Sequence, residues 1–396
     1  MRIAVSGAGI AGPTVAYWLR RAGHVPTLIE SAPQPRTGGY VIDFWGVGYQ
    51  IAQRMGIEDE VLHRGYQVQT LRGVRADGRA IAGVDVGAFQ EAVDGRYTTI
   101  ARSDLAATIV ATIADDVEMI FGDSITGIDE HPGGVTVGFG HHPTRDFDLV
   151  LGADGLHSTV RGLVFPQPEP EYYLGCVVAA FTAEGYRPRD DLTYVLYNVP
   201  GAQVGRFALR EDRTLFLFVF RAPRPDVLGD SDATRALLRS HFGDAGWECR
   251  PILARLDDTD DLYADAVSQI RLPRWSRGRV ALLGDAGAAV SLLAGEGTGL
   301  AMLEAYVLAG ELQRARGDHG AAFAAYEARL GRSWRVNRPA RCRSSSSSPP
   351  APARGCWCAT SACERWPSAR WRNCSLRGRS ATTSICPTTP CETVGP

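Results

Sequence analysis

A glycine-rich turn between a short apolar strand and a helix is the feature that most constrains this fold. The run Ile3-Ala4-Val5-Ser6 is typical of a buried strand, Gly7-Ala8-Gly9-Ile10-Ala11-Gly12 follows it, and residues 13–21 have the apolar spacing of a helix. After a strand and before a helix, the spacing G-x-G-x-x-G predicts a dinucleotide-binding site. A glycine-rich turn in an ordinary α/β domain is the alternative.

Each glycine of this turn has a physical reason. Gly7 permits the tight turn, Gly9 lets a pyrophosphate approach the backbone, and Gly12 lets the helix pack close to the strand. The helix N-terminus favours the negative phosphates. A second predicted strand, residues 25–29, ends in Glu30, where an acceptor for a ribose hydroxyl is expected. The residues predicted to contact the dinucleotide here are Gly7, Gly9, Ile10, Ala11, Gly12, Glu30 and Ser31.

Size and composition exclude several classes of protein. The 396 residues are enough for two domains, and a net charge of −2 gives no basis for nucleic-acid binding. No apolar run approaches the roughly 20 residues that cross a bilayer. The chain begins directly with a strand, so we expect no signal peptide and a cytoplasmic location. Every basic residue is arginine, which excludes lysine nucleophiles and Schiff bases.

The C-terminal tail, residues 331–396, lacks apolar periodicity and combines a serine run with many cysteines and tryptophans. Three interpretations are open: a disordered linker, a metal site at Cys356, Cys358 and Cys363, and a stretch read out of frame. Tryptophan and cysteine are atypical of disorder, and the cysteines lack zinc-finger spacing. We therefore favour a shifted frame and expect residues 340–396 to pack poorly and carry no chemistry.

Two further motifs lie far along the chain. Residues 148–161 form an apolar strand that runs into Gly152-Ala153-Asp154-Gly155, followed by a helix for which Ser158 is a plausible cap. Residues 278–287 form a second such strand that ends in Gly284-Asp285. A glycine-rich loop, residues 295–299, and a helix over residues 300–314 come next. Taken singly, Gly-Asp after a strand is also common turn chemistry.

In combination, the three motifs resemble those of the single-component flavoprotein hydroxylases, which include the aromatic hydroxylases and the tetracycline-inactivating monooxygenases. The resemblance covers roughly residues 1–330 and includes Gly38-Gly39-Tyr40 and Arg102-Ser103-Asp104-Leu105. It implies FAD as cofactor and NADPH or NADH as a transient reductant. It also implies that Arg102, Asp154, Asp285, Gly295, Gly297, Thr298 and Gly299 contact FAD. The chain departs from the family at Ala288 (often histidine), near Ser291 or Leu292 (where the family often has a proline) and at Gly299 (often asparagine).

The resemblance implies an α/β fold: a Rossmann-like FAD-binding domain with an inserted, mainly β substrate domain and an ill-packed or disordered C-terminal tail. We expect the FAD-binding domain to comprise residues 1–70, 98–165 and 273–330. Residues 71–97 and 166–272 would form the substrate domain. Within it, residues 175–183, 192–199, 204–209 and 214–222 are predicted strands, and residues 232–243 and 247–256 are predicted helices.

An apolar substrate would bind between the substrate-domain sheet and the flavin. Candidate wall residues are Asp43, Trp45, Phe181, Tyr194, Phe207 and Phe218. For each aromatic residue, simple core packing is the alternative. The sequence identifies no catalytic side chain and no metal site, because the hard chemistry belongs to the flavin.

The function implied is an FAD-dependent monooxygenase that uses NAD(P)H and O₂. Through a flavin C4a-hydroperoxide, it would hydroxylate, or oxidise by a Baeyer–Villiger reaction, an aromatic or polyketide-like small molecule. An FAD-dependent reductase of the geranylgeranyl-reductase type and a non-catalytic dinucleotide-binding protein are the alternatives. The sequence leaves the substrate and the oligomeric state open.

Overall fold

A computed structural model describes residues 1–35, 38–165, 170–226 and 228–336, with side chains as far as residue 331. Its strands are β1 (Arg2–Ser6), β2 (Val25–Glu30), β3 (Val41–Trp45), β4 (Thr70–Val74), β5 (Ala80–Asp85), β6 (Tyr97–Ala101), β7 (Glu118–Phe121), β8 (Ile125–His131), β9 (Gly134–Phe139), β10 (Arg145–Phe147), β11 (Leu149–Gly152), β12 (Glu171–Glu184), β13 (Thr193–Val199), β14 (Ala202–Ala208), β15 (Arg213–Arg221), β16 (Tyr263–Ile270), β17 (Ser276–Arg277) and β18 (Val280–Leu282). Its helices are α1 (Ala11–Arg21), α2 (Gly46–Met55), α3 (Glu58–Arg64), α4 (Gly87–Ala92), α5 (Arg102–Ala111), α6 (Thr159–Val164), α7 (Ser231–Phe242), α8 (Cys249–Leu253), α9 (Asp285–Ala288), α10 (Gly297–Arg314) and α11 (His319–Val336).

The first sheet has the strand order β17-β18-β11-β1-β2-β7, and its five strands from β18 to β7 are parallel. Strands β1, β11 and β18 are almost wholly buried, which accounts for their continuous apolar sequences. Helix α10 packs against α1, α2 and α11, and all four helices contribute to one core with this sheet. The carboxyl ends of the parallel strands therefore meet at one edge, where α/β proteins bind their ligands.

The second sheet has the strand order β16-β12-β15-β14-β13-β4-β5. Strands β4 and β5 come from an early part of the chain, and β4 pairs in parallel with β13, whereas the other pairs are antiparallel. A separate two-stranded ribbon pairs β3 with β6, which flank β4 and β5 in the sequence. Strand β12 is long and largely apolar, so other parts of the protein must cover both of its faces.

Alternating side chains divide the second sheet into two apolar faces. One face, which we call the outer face, is covered by α7 and α8 and contains Val177, Phe181, Phe216 and Phe218. The opposite face, the inner face, contains Ala180, Tyr194, Phe207 and Leu215 and contacts Val41 and Trp45 of β3. The inner face is therefore the one turned towards β3 and the part of the chain that carries the glycine turn.

The structure agrees with the predicted fold class and with the four predicted strands of the inserted sheet, each within a few residues. Two helix predictions were imprecise. The helix expected from residue 300 begins at Gly297, and residues 247–256 form the short α8 followed by a 3₁₀ turn at Leu256–Asp258 instead of one helix. Helix α11 is described to Val336, and the predictions for residues 340–396 lie outside the described residues. Among the described residues, no helix has the length and apolarity needed to span a bilayer.

Candidate active site

The three motifs follow three neighbouring parallel strands. The glycine turn follows β1, the Asp154 turn follows β11, and Gly284-Asp285 follows β18, in the sheet order β18-β11-β1-β2. Glu30 is the last residue of β2, the next strand. Because parallel strands end at the same edge, residues separated by more than two hundred positions border one cleft.

The first glycine turn is closely packed against the second motif. Gly7 has φ of +102°, and a Cβ atom there would lie 2.5 Å from the Ala153 carbonyl oxygen and 2.8 Å from Asp154 Cα. A Cβ atom at Gly12 would overlap the Gly7 carbonyl oxygen. A side chain at either position is incompatible with this packing, so the glycines are required by backbone approach as well as by conformation.

Gly9 and Arg102 face each other across the cleft. Arg102 begins α5, its backbone N–H donates to the Tyr40 carbonyl oxygen at 3.1 Å, and its guanidinium Nη2 lies 3.6 Å from the position of a Cβ atom at Gly9. Helix α1 begins beside them, and no side chain of the described residues caps it. The uncapped N-terminus of α1 and a guanidinium thus converge at one point, which is a suitable environment for phosphate.

Glu30 holds the first turn in place. One carboxylate oxygen accepts from the Ala8 backbone N–H at 2.7 Å, and the other accepts from the Ala32 N–H at 2.9 Å and from the Ser31 hydroxyl at 3.2 Å. These bonds fix the Glu30 carboxylate against the backbone of the first turn.

Asp154 organises its own loop. Its carboxylate accepts from the Ser158 hydroxyl and, at 3.1 Å, from the Val160 N–H, while Ser158 caps α6 as predicted by accepting from the Arg161 N–H. The buried Arg161 guanidinium donates to the Leu156 and Ala286 carbonyl oxygens. Arg161 therefore joins the second motif to the third.

Asp285 faces the cleft. Its side chain is exposed although Gly284, Ala286 and Gly287 around it are buried. Desolvation by the surrounding protein raises the pKa of Asp285, while the nearby positive charge of Arg102 opposes that rise. The third motif therefore presents a carboxylate within electrostatic range of the arginine that lies over the first motif.

The loop after Asp285 borders the same edge. Gly295 is exposed with φ of +70°, and Gly297, Thr298 and Gly299 are half-buried in the first turn of α10. A Cβ atom at Gly48 of α2 would lie 2.6 Å from Gly299 Cα. The two helices approach so closely that a glycine at 299 fits where the family often has asparagine.

Three residues near the cleft were missed as site candidates: Tyr40, Tyr263 and Asp265. The rings of Tyr40 and Tyr263 are 5.4 Å apart, and burial raises the pKa of both hydroxyls. Asp265 adds to the rise for Tyr40, Tyr263 and Asp285. Tyr40 was within reach of the sequence because it follows Gly38-Gly39, whereas only the tertiary structure brings β16 to the cleft.

His157 links this region to the inserted sheet. Its Nε2 lies 3.3 Å from Asp265 Oδ1, and this hydrogen bond raises the pKa of the imidazole. The Asp265 carboxylate also accepts from the Ala266 N–H at 2.7 Å. The pair joins the Asp154 loop to strand β16, so it crosses between the two halves of the molecule.

The inner face supplies an aromatic wall beside the cleft. Tyr194 stacks on Phe207 with ring centroids 5.4 Å apart, and Trp45 packs edge-on against Phe89 at 5.5 Å. Asp43 lies between Val41 and Trp45 on β3 and shares their face, because Ile42 and Phe44 point into the other core. Four of the predicted wall residues, Asp43, Trp45, Tyr194 and Phe207, therefore lie on this side.

Asp43 is an exposed carboxylate among these rings. Its Oδ1 accepts from the Tyr97 hydroxyl at 2.8 Å and from the Thr99 hydroxyl at 2.7 Å, and among the described residues no donor is found for its Oδ2. Two fixed hydrogen bonds orient the side chain, so one oxygen remains available to a ligand.

The prediction for Phe181 and Phe218 was wrong. Both are fully buried on the outer face, with ring centroids 6.0 Å apart, and Phe218 packs against Phe242 of α7. Alternation places Ala180 and Leu217, their strand neighbours, on the inner face. The sequence predicted two apolar faces correctly but did not show which face received the helices.

The residues fit an extended flavin nucleotide. A glycine turn without room for side chains, an uncapped helix N-terminus beneath a guanidinium, and an exposed carboxylate at the far end of the cleft match pyrophosphate and ribityl chemistry in that order. The carboxylate of Glu30 stands at the opposite end, after β2. The donor set therefore suits FAD.

Comparison with known proteins agrees with this chemistry. A family model described as FAD binding domain matches residues 1–329. A flavin-dependent monooxygenase from an unidentified prokaryote is 37% identical over 332 residues, which cover 82% of this chain and 84% of the relative. A flavin-dependent monooxygenase of Legionella longbeachae is 35% identical over 336 residues, covering 83% and 85%.

Solved structures give the same result. The tetracycline destructase Tet(55) is 35% identical, with a TM-score of 0.77 over 85% of this chain and 86% of that one. Klebsiella pneumoniae HpxO, in a complex with FAD and uric acid, is 26% identical, with a TM-score of 0.73 over 85% and 86%. This chain therefore belongs to the single-component FAD-dependent monooxygenases, a class of oxidoreductases, and FAD is its cofactor.

Proposed function

We propose that this enzyme uses NAD(P)H and O₂ to hydroxylate, or to oxidise by a Baeyer–Villiger reaction, an aromatic or polyketide-like small molecule. The observation that carries the proposal is the aromatic inner face next to the cleft between Arg102 and Asp285. An apolar, ring-lined space beside a redox cofactor is typical of a site that binds a planar apolar substrate.

The geometry of the cleft supports the following cofactor contacts. The backbone at Gly7, Gly9 and Gly12 and the N-terminus of α1 would bind the FAD pyrophosphate, with Arg102 adding a charge-assisted bond. Glu30 would accept from the adenosine ribose, and Asp285 from ribityl hydroxyls. The backbone of residues 295–299 would lie against the isoalloxazine. When bound, FAD supplies the redox chemistry, accepting reducing equivalents from NAD(P)H and activating O₂.

The protein itself would orient the substrate and exclude water from the reacting atoms. Tyr194 and Trp45, which are partly exposed, would stack against the substrate, with the fully buried Phe207 behind Tyr194. Asp43 would accept a hydrogen bond from a substrate hydroxyl through its Oδ2. The similarity to tetracycline destructases supports a polycyclic, polyketide-like substrate, and uric acid in HpxO supports a planar aromatic one.

A purification and turnover experiment tests the proposal. We expect yellow protein with bound FAD, and NAD(P)H oxidation that increases when tetracyclines or polycyclic phenols are added. Product analysis by mass spectrometry should show one added oxygen atom, and ¹⁸O₂ should label it. Substrate-dependent O₂ consumption without an oxygenated product would contradict the proposal.

An anaerobic assay separates the main alternative. A reductase of the geranylgeranyl-reductase type turns over its substrate without O₂, whereas a monooxygenase stops after reduction of its flavin. Multiple turnovers of substrate under strict anaerobiosis would therefore favour the reductase. No such turnover, together with oxygenated product in air, is the result that we expect.

A further inference from the structure

A buried glutamate lies directly behind the third motif. Glu304 is in the middle of α10 and is only 1% exposed. One carboxyl oxygen accepts a hydrogen bond from the backbone N–H of Gly284, the residue before Asp285. We propose that Glu304 is a positioning residue for FAD, which fixes the backbone at Gly284 so that the side chain of the following residue, Asp285, points into the cleft.

The peptide that Glu304 contacts has an unusual conformation. Gly284 has φ of +61° and ψ of −146°, a region that is open to glycine and costly for other residues. Its carbonyl oxygen accepts from the Gly287 and Ala288 N–H groups. Glu304 accepts from the N–H of Gly284. Both the N–H and the carbonyl oxygen of Gly284 are therefore bonded, and this fixes the direction of the Asp285 side chain.

The space around the turn explains why a side chain on another element is needed. A Cβ atom at Gly284 would lie 3.1 Å from the Ala11 side chain of α1 and 3.5 Å from the Ala301 side chain of α10. The turn is therefore enclosed by two helices, and its N–H group is out of reach of water. A buried N–H without an acceptor costs the full desolvation of that group.

The surroundings of the second carboxyl oxygen of Glu304 favour the neutral form of this side chain. Among the described residues, Glu304 Oε1 has no hydrogen-bond partner within normal geometry, although the buried Tyr326 hydroxyl, which donates to the Leu282 carbonyl oxygen, lies nearby. Burial raises the pKa of Glu304 well above its usual range, and the negative charge of Asp285 adds to the rise. A neutral Glu304 avoids placing two carboxylates on either side of one peptide.

Neutrality has a consequence for the cofactor. An uncharged group behind Asp285 can act as a hydrogen-bond acceptor without repelling the carboxylate that faces the ribityl chain. The inference depends on FAD as cofactor and on the proposed contact of Asp285, but not on the substrate or on the reaction.

FAD affinity of the apoprotein tests the role. We would measure FAD binding by quenching of flavin fluorescence for the wild type, Glu304→Gln, Glu304→Leu and Asp285→Ala. Glu304→Gln keeps an uncharged acceptor of the same shape, so its dissociation constant should stay within about threefold of the wild-type value. Glu304→Leu leaves the Gly284 N–H unsatisfied and should weaken binding by about tenfold or more.

Infrared spectroscopy tests the neutral state of Glu304 separately, and FAD affinity compared with a control variant separates positioning from a merely structural role. At neutral pH the wild type should show a protonated carboxyl C=O band that is absent from Glu304→Gln. Glu311→Leu is the matched control, because Glu311 is also buried on α10 but pairs with Arg314 and Arg329 away from the cleft. It should lower the unfolding temperature and leave FAD affinity unchanged.

Three results would overturn the inference. Glu304→Leu that is folded and binds FAD like the wild type would show that the bond to Gly284 is dispensable. Glu304→Gln that binds as weakly as Glu304→Leu would show that a charged carboxylate is required. Weak binding by Glu304→Leu together with normal binding by Asp285→Ala would show that the effect does not pass through Asp285. If Glu304→Leu does not fold, Glu304→Asp, which shortens the side chain by one methylene, replaces it.

Discussion

At the scale of single residues, the cleft depends on groups whose orientation is set by neighbours. Asp154 is used by its own loop, Glu30 supports the first turn, and Asp285 is held by its backbone. Only Asp285 among these three is an exposed carboxylate. It is therefore the residue whose substitution should affect cofactor binding with the least effect on the fold.

Asp285→Ala is expected to lose FAD. The variant removes the carboxylate that would accept from ribityl hydroxyls, and a charge-assisted hydrogen bond of this kind is worth about 1.5–3 kcal/mol, or roughly 10- to 150-fold in affinity. The measurement is FAD content after purification and titration of the apoprotein. Asp257→Ala, an exposed acid paired with Arg239, is the control and should keep FAD. Unchanged occupancy in Asp285→Ala would refute the assignment.

Asp43→Asn is expected to keep FAD and to impair substrate binding. The amide oxygen can still accept from Tyr97 and Thr99, but an NH2 group then replaces Oδ2, and this group cannot accept a hydrogen bond from a substrate hydroxyl. We expect KM to rise by about five- to tenfold for a hydroxylated substrate. An analogue without the hydroxyl group serves as control and should show equal KM in both proteins. An equal increase for both compounds would count against the hydrogen bond.

At the scale of elements, close approach of helices to strands shapes the site. Helix α1 lies against the first turn at Gly12, and α10 lies against α2 at Gly299. Both contacts are possible because glycine has no side chain. Gly310 of α10 makes no such close contact, because the space around the position of its missing Cβ atom is open.

Gly12→Ala and Gly310→Ala form a matched pair. The first places a methyl group on the Gly7 carbonyl oxygen and should lower the free energy of unfolding by about 1–3 kcal/mol and weaken FAD binding. The second removes unfolded-state entropy without a clash and should raise stability by about 0.5–1 kcal/mol. Urea unfolding of the two variants measures both effects. A stabilised Gly12→Ala variant would contradict the close packing of α1.

The elements were largely predictable from the sequence because each carries a strong local signal. The buried strands are continuous apolar runs, and Gly7, Asp154 and Asp285 each follow such a run. Which side of the inserted sheet faces the cleft was not predictable, since Phe181 and Ala180 both belong to an apolar alternation. That choice depends on where α7 and α8 pack, which is a tertiary property.

At the scale of the whole molecule, the cleft lies where two sheets from interleaved parts of the chain meet. Its groups from β16, Tyr263 and Asp265, are inaccessible to sequence reasoning because nothing local relates them to the glycine turn. The link between His157 and Asp265 crosses this junction. It is a titratable contact, so the stability of the junction should depend on pH.

His157→Gln tests this pH dependence. The hydrogen bond to Asp265 raises the imidazole pKa in the folded state, so the protonated form stabilises the fold at low pH and this contribution disappears as pH rises through the raised pKa. Because His157 is largely exposed, we expect a destabilisation of only about 0.5 kcal/mol near pH 5.5 and none near pH 9. Urea unfolding of both single variants and of His157→Gln/Asp265→Asn gives the coupling energy. A larger effect at the higher pH would contradict this assignment.

The two faces of the inserted sheet have different neighbours. Helices α7 and α8 cover the outer face, and the inner face is turned towards the cleft. Phe181, Phe216 and Phe218 pack on the outer face below α7 and α8, while Tyr194 lies on the inner face in contact with the buried Phe207. We expect substitutions of partly exposed inner-face residues such as Tyr194 and Trp45 to change what the site binds without disturbing the packing of the outer face. Such an arrangement lets one scaffold acquire new chemical specificities while its folding is left intact, which accords with a shared architecture in enzymes as different as tetracycline destructases and HpxO.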